Sequence, residues 1–297
     1  MESTDITFEL QSGHTKPFLT ISQQLDLLKS RKLIIPDETF AFYVLKYVHY
    51  YRLMAYSLTL KKNDEFYPGI TFENIYTLYR FDDEFRKLIL KYSLCIEIEF
   101  RSTISQFHSD KYGPLGYMDK NNFENEDYHT KFIEDLSKSI NKSDDVFVYH
   151  HKKDLGAVFP FWVAIECSSF GDISKFYKNM LKDDRMEFAQ TYFGLPRGYV
   201  ENWLQLIVYG RNIAAHGGRF YNRELKTIPA KIAPKNKRLY TATSPFALVY
   251  AIYYLQPDYV NAYNFMKDIE WLFYDYPFAD KKHLGFPSNW KELLVFE

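Results

Sequence analysis

Residues 71–112 contain neither glycine nor proline, and their apolar side chains recur at intervals of three and four positions. This periodicity is typical of an amphipathic α-helix, in which residues so spaced share one face. The stretch therefore predicts one very long helix, or two helices joined end to end. Its length favours a helical architecture for the chain.

The rest of the chain carries further helical signals and few of the alternating patterns that are typical of strands. Thr20 and Gln23 form a candidate capping box, and Pro36 stands at the predicted first position of a second helix. Later helices are predicted over 128–140, over 160–181 with a break at Gly171, after Pro196, after Ser244-Pro245 and over 258–275. We therefore predict an all-α fold in one compact unit. Its parts are a helical segment 1–70, a helical core 71–225, and a basic connection with C-terminal helices 226–297.

The bulk composition predicts a globular protein with a sizeable core. Of the 297 residues, 46% are apolar, and the formal net charge is −1. Cys95 and Cys167 lie far apart and have no partners at the spacing of metal ligands, so we expect neither a disulfide framework nor a metal site. The first residues, MESTDITFEL, lack the pattern of a leader, and no uninterrupted apolar run reaches about 18 residues. We expect a cytoplasmic protein without a membrane span or a cofactor.

Aromatic residues are unusually frequent, with 26 tyrosines and 26 phenylalanines. Most of them are expected in the core, where rings at helical spacing normally pack. A minority can stack on nucleic-acid bases. Tyr51 and Arg52 are candidates for RNA contacts of this kind, although tyrosines at this spacing more often belong to a core.

Glycines are concentrated in one part of the chain. Five of the 12 glycines lie between residues 194 and 218, a stretch that includes the sequence YGRNIAAHGG. Gly210 falls inside a predicted helix, where glycine costs roughly 1 kcal/mol relative to alanine. We therefore expect a partner helix or a ligand to approach the backbone closely at Gly210. The pair Gly217-Gly218 is expected to end the helix as a C-cap.

Arg211, Asn212 and His216 carry candidate chemistry in this stretch. On a helix, five positions correspond to about 500° of rotation and about 7.5 Å of rise, so Asn212 lies beneath His216 while Arg211 stands beside them. Histidine side chains exchange protons near neutrality, and guanidinium groups bind phosphate oxygens in a fork. Cleavage of RNA without a metal needs both functions.

The spacing of the arginine and the histidine is weak evidence alone, because chance supplies such pairs at an appreciable rate. A second pair, Arg101 and His108, has six intervening residues, and we interpret it as a structural coincidence on the long helix. Glu166 is either a buried contact that orients Arg211 or an ordinary helix residue. We interpret the acidic groups Asp82-Asp83-Glu84 and Asp183-Asp184 as solvated helix caps.

A basic segment follows the glycine pair directly. Across residues 219–238, seven basic side chains face the single acid Glu224. A polyanion such as RNA would be expected to bind there, although a solvated basic loop is equally compatible with the charge alone. The candidate RNA-binding residues in this region are Arg219, Asn222, Arg223, Lys226, Lys231, Lys235, Lys237 and Arg238.

Several sequence stretches together resemble one known family. They are KPFLTISQQLDLLKSRKLIIPDE, HYYRLMAYSL, FYPGITFENIYTLYRFDDEFRKLILKYSLCIEIEFRS, YGPLGYM, FPFWVAIECSSFGDISKFY and RNIAAHGGRFYNREL. In this order they resemble the abortive-infection proteins of the AbiD/AbiF type, which belong to the HEPN superfamily. The resemblance covers roughly residues 16–225.

This resemblance implies a HEPN-like four-helix core, with additional N- and C-terminal helices, in a bacterial phage-defence protein. In catalytic members of the superfamily, an arginine and a histidine separated by four to six residues cleave RNA without a metal. Arg211 and His216 match this motif, Asn212 matches the polar residue after the arginine, and Arg219 and Asn222 match its continuation.

The resemblance also implies a homodimer, because superfamily members bring two copies of the motif into one cleft. A small RNA or a protein inhibitor is the expected neutralising partner. We predict a toxin that is a metal-independent endoribonuclease. The alternatives are a helical module that binds RNA without cleaving it and a protein-interaction scaffold with no affinity for nucleic acid.

Overall fold

The computed structural model describes residues 17–295, so the predicted absence of a leader in residues 1–10 lies outside this range. The described part is mostly helical with one two-stranded sheet, which confirms the all-α prediction. Its α-helices are α1 Ile21–Ser30, α2 Glu38–Tyr47, α3 Tyr50–Met54, α4 Phe72–Tyr112, α5 Glu126–Lys142, α6 Val146–Asp154, α7 Phe161–Ala164, α8 Phe170–Asn179, α9 Lys182–Phe193, α10 Arg197–Ala215, α11 Pro245–Tyr254 and α12 Tyr259–Asp275.

The chain forms two compact units, Met1–Tyr76 and Thr77–Glu297. The predicted boundaries at residues 70 and 225 stay predictions. Across residues 17–295, no helix combines the length and the apolar character that a membrane crossing needs.

In the first unit, helix α1 begins with the predicted capping box. The Thr20 hydroxyl accepts a hydrogen bond from the Gln23 amide at 3.3 Å, and the Gln23 side chain accepts one from the Thr20 amide at 2.9 Å. The sequence predicted that helix α2 begins at Pro36, but the helix begins at Glu38. The Asp37 carboxylate accepts from the Phe40 amide at 2.9 Å and caps the helix there. The Phe40 ring packs edge-on against the rings of Phe72 and Tyr76.

The small sheet of the first unit is a hairpin of β1, Lys61–Lys62, and β2, Glu65–Phe66. Asn63 and Asp64 form its turn with φ angles of 50° and 63°. Two-residue hairpin turns of type I′ require positive φ at both central positions, which asparagine and aspartate tolerate well.

Helix α4 is a single uninterrupted helix of 41 residues, so the first of the two predicted alternatives is confirmed. At 1.5 Å per residue it is about 60 Å long. In the second unit, its buried face consists of residues at the predicted three- and four-residue intervals. Fully buried members of this face are Leu78, Phe81, Phe85, Ile89, Ile96, Phe100 and Ile104.

Between α4 and α10 the helices are shorter and more numerous than predicted. Helices α6 and α9 were not predicted. The break expected at Gly171 lies at Ser168-Ser169, where Ser168 is extended and the Ser169 hydroxyl caps α8 by accepting from the Asp172 amide at 3.2 Å. Gly171 itself lies inside α8.

Helix α10 is central to the second unit and packs against α8, α9 and α11. As predicted, α11 begins at Ser244-Pro245, with Pro245 in its first turn. Nine of its ten residues are buried, which explains why α11 is apolar on every face. A Cβ atom on Gly210 would lie only 2.4 Å from Cδ2 of Leu248 in α11. The close approach expected at Gly210 is therefore confirmed, and the partner is a helix.

Candidate active site

The C-terminal end of α10 is a Schellman motif built on the glycine pair. Gly217 adopts a φ of +65°, and its amide donates to the carbonyl of Ala214 at 3.0 Å. The Gly218 amide donates to the carbonyl of Ile213 at 2.7 Å. These are the two hydrogen bonds of the motif, and they confirm the predicted C-cap. His216 is the capping residue, and its imidazole is exposed.

Arg211 and Asn212 lie one turn before His216. The Arg211 side chain is 39% exposed, and its Nη1 donates to the Asn212 side-chain oxygen at 3.1 Å. The His216 amide donates to the Asn212 carbonyl at 3.0 Å. Asn212 and His216 are both exposed, four positions apart at the end of the helix, and Arg211 contacts the Asn212 side chain.

A buried carboxylate lies behind Arg211. Glu97 on α4 is 7% exposed, and its Oε2 lies 3.6 Å from Nη2 of Arg211. Its Oε1 accepts a hydrogen bond from Arg101 at 3.0 Å. One carboxylate thus contacts two guanidinium groups, and Arg101 also donates to the carbonyl of Ser168 at 3.1 Å.

Glu166, for which a buried contact with Arg211 was one of two alternatives, has a different contact. Its side chain is 49% exposed, and its carboxylate lies 3.8 Å from Arg101. Glu166 lies in the short 3-10 helix Ile165–Cys167, and its contact with Arg101 is to α4. Glu97 takes the role that we assigned to Glu166. The sequence feature that could have identified Glu97 is its position four residues before Arg101 on the long helix, a spacing at which an acid and a base can pair.

Asp82 fixes the chain that follows the glycine pair, and sequence reasoning missed it. We interpreted Asp82 as a solvated cap, but it is fully buried. It accepts from the backbone amides of Phe220 and Tyr221 at 3.1 and 2.8 Å and pairs with Arg86 at 2.7 Å. The i,i+4 spacing of Asp82 and Arg86 was the available signal.

The interpretation of Asp184 as a solvated cap is also wrong. Asp184 is 2% exposed and accepts from the Tyr112 hydroxyl at 2.7 Å, with Lys111 at the same distance. It therefore stabilises the contact between α9 and the end of α4.

The first basic residues after the glycine pair brace their own loop. Arg219 donates to the carbonyls of Tyr221 and Asn222 at 2.7 and 3.2 Å, and Arg223 donates to the carbonyl of Arg219 at 3.3 Å. Asn222 is exposed, has a φ of +51°, and donates its amide to the carbonyl of His283. These guanidinium groups hold the loop in shape beside the end of α10.

The later basic residues diverge from this loop. Lys226 is exposed and pairs with Glu224 at 3.1 Å, and Lys237 and Arg238 are exposed. The side chain of Lys235 lies outside the described residues. Lys231 lies at the opposite end of α10, where its carbonyl accepts from the Trp203 indole at 2.9 Å. The predicted RNA-binding segment therefore does not form one cluster.

Tyr51 and Arg52, the two remaining RNA-contact candidates, belong to the first unit. Tyr51 is 66% exposed, and Arg52 is exposed as well. Both lie in α3, which is capped by the His49 ring through the Tyr51 amide at 3.3 Å.

The second arginine and histidine pair is not a second site of the same kind. His108 is fully buried among the rings of Tyr112, Phe123, Phe161 and Phe176. Loss of solvation lowers the pKa of His108 to about 4, against a smaller opposing effect of Asp184. A neutral, enclosed imidazole cannot exchange protons with a ligand at the surface, which agrees with its interpretation as a structural residue.

Comparison with known protein families identifies the family to which the chain belongs. The family model described as Abi-like protein matches residues 43–222, which is more than half of the chain and includes α4, α10 and the loop after the glycine pair. No curated protein and no solved structure is significantly similar to the chain. The chain belongs to the Abi-like protein family.

Proposed function

We propose that this protein is a metal-independent endoribonuclease toxin of the HEPN class and the AbiD/AbiF type. Membership of the Abi-like family suggests a role in abortive infection, a defence against phage. The observation that carries the proposal is the last turn of α10, which ends on the exposed His216 and also carries Arg211, whose guanidinium contacts the buried carboxylate of Glu97.

In the proposed reaction, the 2′-hydroxyl of the substrate attacks the adjacent phosphorus, and the bond from phosphorus to the 5′-oxygen breaks. The 2′-hydroxyl loses a proton and the leaving 5′-oxygen gains one. His216 exchanges one of these two protons, either accepting it from the 2′-hydroxyl or donating it to the leaving oxygen, and solvent water exchanges the other. Arg211 stabilises the charge that develops on the phosphate, and Asn212 positions the strand. The products are a 2′,3′-cyclic phosphate and a 5′-hydroxyl.

The contacts of Arg211 support its proposed role in stabilising the charge on the phosphate. Because Glu97 and Asn212 both contact its guanidinium, the side chain has fewer conformations to lose when a phosphate binds. Arg101 shares the Glu97 carboxylate and also lies 3.8 Å from the carboxylate of Glu166. Glu97 is therefore not paired with Arg211 alone, and the partly exposed guanidinium of Arg211 is the cation of this cluster that we propose binds the phosphate.

The proposed enzyme is cytoplasmic and acts as a homodimer, since catalytic HEPN proteins pair two copies of the motif. A small RNA or a protein inhibitor is its proposed neutralising partner. The alternative function is binding of RNA without cleavage, and the experiment must distinguish it from cleavage.

Expression in bacterial cells tests the proposal. The wild-type protein should arrest growth and degrade cellular RNA, and the His216→Ala variant should do neither. His150→Ala is the matched control, because His150 is also exposed but lies on α6 and pairs with Asp154 at 2.9 Å. It should remain toxic. Growth arrest by wild type with intact RNA would instead favour binding without cleavage.

A further inference from the structure

A groove lies at the N-terminal end of α10, opposite the end that carries His216. It has a volume of about 350 Å³ and is lined by Arg197, Gly198, Glu201, Asn202, Gln205 and Lys231. Glu201 already accepts from Arg185 at 2.9 Å. Arg185 also pairs with Glu124 at 2.6 Å, so its charge is shared between two acids. The lining of the groove itself carries two cations, Arg197 and Lys231, against the single acid Glu201.

The backbone of Lys231 is fixed to α10, and its ammonium group lies near Tyr199 and Gly198. The Lys231 amide donates to the Asn202 side chain, and its carbonyl accepts from Trp203. Its Nζ lies 5.4 Å from the centre of the Tyr199 ring and so close to Gly198 that a Cβ there would come within 2.7 Å of it. Because Gly198 has no side chain, the ammonium group of Lys231 can lie this close to the backbone of α10.

One face of α10 connects this groove to His216. Spacings of four and three residues place a row of partly or fully exposed positions along the helix, namely Gly198, Asn202, Gln205, Tyr209, Asn212 and His216. Between its ends, Gly198 and His216, the row rises about 27 Å. The segment after the glycine pair runs beside it, since Thr227 donates to the Tyr209 hydroxyl and Asn202 donates to the carbonyl of Pro229.

We propose that the groove binds a backbone phosphate of the same single RNA strand whose scissile phosphate lies at His216. This inference rests on the proposed function and adds a length requirement to it. A stacked strand carries one phosphate per about 3.4 Å, so about 27 Å corresponds to about eight nucleotides, and to fewer when the strand is extended. RNAs that are too short to span the face reach only one of the two sites.

Binding of non-cleavable 2′-O-methyl RNAs of three and ten nucleotides tests this length requirement. Lys231→Gln should weaken binding of the longer RNA about fivefold at 0.1 M salt, because one phosphate contact contributes about 0.7 to the log–log salt slope. Gly198→Ala should produce a similar loss without a change of charge, because the new Cβ displaces the ammonium group. The control Lys138→Gln alters an exposed lysine of α5 that pairs with Asp135.

For the three-nucleotide RNA, Lys231→Gln and Lys138→Gln should bind alike. Equal weakening of both RNA lengths by Lys231→Gln, or no weakening of either, would overturn the proposed path along α10. If the groove binds phosphate, millimolar inorganic phosphate should compete for it. The ten-nucleotide RNA should then lose its advantage in affinity over the three-nucleotide RNA. If phosphate leaves ten-nucleotide binding unchanged, the groove does not hold a phosphate and belongs to another partner, such as a protein.

The two proposals fail separately. If the wild type binds the longer RNA through Lys231 but never cleaves a natural RNA, the groove is retained and the catalytic assignment is wrong. If natural RNA of ten nucleotides is cleaved equally well by wild type and Lys231→Gln at low concentration, the catalytic assignment is retained and the groove is wrong.

Discussion

Glu97 is the residue on which the geometry of the candidate site depends. It is almost entirely buried, yet both of its oxygens contact guanidinium groups, one from Arg101 and one from Arg211. A buried carboxylate is stable only when such partners compensate its lost hydration. Because Arg211 is partly exposed, Glu97 links the buried part of the cluster to the surface at which a phosphate would bind.

Replacement of Glu97 by glutamine should slow RNA cleavage by about 10- to 100-fold, because a small displacement of a catalytic group has an effect of this size. Affinity for RNA should be retained, since the variant gains positive charge. Single-turnover rates and binding measured side by side test this split. Glu166→Gln is the matched control, and its effect should be much smaller because exposed ion pairs contribute only about 0–1 kcal/mol. A larger effect of Glu166→Gln would show that we assigned the wrong carboxylate.

His108 links the stability of the fold to pH. Its two ring nitrogens have no hydrogen-bond partner, and burial lowers its pKa to about 4, with His129 acting in the same direction and Asp184 opposing. Above a pH of about 6.5 the ring is neutral in both the folded and the unfolded chain. As the pH falls from about 6.5 to about 4, the unfolded chain binds a proton that the folded chain excludes, so the free energy of unfolding decreases.

The His108→Phe variant should lose this pH dependence and keep the packing of the aromatic ring. Between pH 7 and pH 5, the free energy of unfolding of the wild type should fall by about 2 kcal/mol more than that of the variant. Urea unfolding at the two pH values measures the difference. Equal changes in both proteins would mean that His108 is not held neutral.

At the scale of the secondary-structure elements, α10 combines a tightly packed side with an open polar one. Gly210 contacts Leu248 of α11 on the packed side, and Asn212 and His216 lie on the open side. Helix α10 can end in the open because the Schellman motif satisfies its last carbonyl groups. Packing on one side thus fixes the position of the exposed residues on the other.

The Gly210→Ala variant should be destabilised by about 1–3 kcal/mol through overpacking against Leu248, less the roughly 1 kcal/mol that alanine contributes as a better helix former. Leu248→Ala makes room for the added methyl group. The double variant should therefore be more stable than the sum of the two single effects predicts, and a double-mutant cycle by urea unfolding measures this coupling. Strict additivity would contradict the contact.

Local signals predicted much of the fold. The Thr20 capping box, the uninterrupted helix to Tyr112 and the glycine C-cap after His216 each depend on residues close together in sequence. The predicted start of α2 at Pro36 was two residues too early, because Asp37 is the N-cap and the helix therefore begins at Glu38. Helices α6 and α9 were missed because their sequences carry no clear apolar stripe.

The site was predicted only as far as a single helix extends. Arg211, Asn212 and His216 are neighbours on α10, so their spacing was informative. Glu97 and Asp82 come from α4, more than one hundred residues earlier, and no local pattern indicates which acid meets which partner. For the same reason, sequence reasoning chose Glu166 in place of Glu97.

At the scale of the whole molecule, positively charged residues lie near both ends of α10. Arg219 and Arg223 belong to the loop beside His216, and Lys231 returns to the groove at the start of the helix. The net charge of the chain is only −1, so this distribution reflects local placement and not an overall excess of basic residues. Such placement favours a strand of nucleic acid over a compact ligand.

The most direct test of the central claim is the single-turnover cleavage of RNA in EDTA by wild-type protein and the His216→Ala variant, with identification of the product ends. The wild type should cleave RNA to a 2′,3′-cyclic phosphate and a 5′-hydroxyl, and the rate should be about 10²- to 10⁴-fold lower in the variant, as for the loss of a general acid or base. RNA affinity should be similar in the two proteins. Equal cleavage rates, or wild-type cleavage that disappears in EDTA, would contradict the claim that His216 and Arg211 cut RNA without a metal.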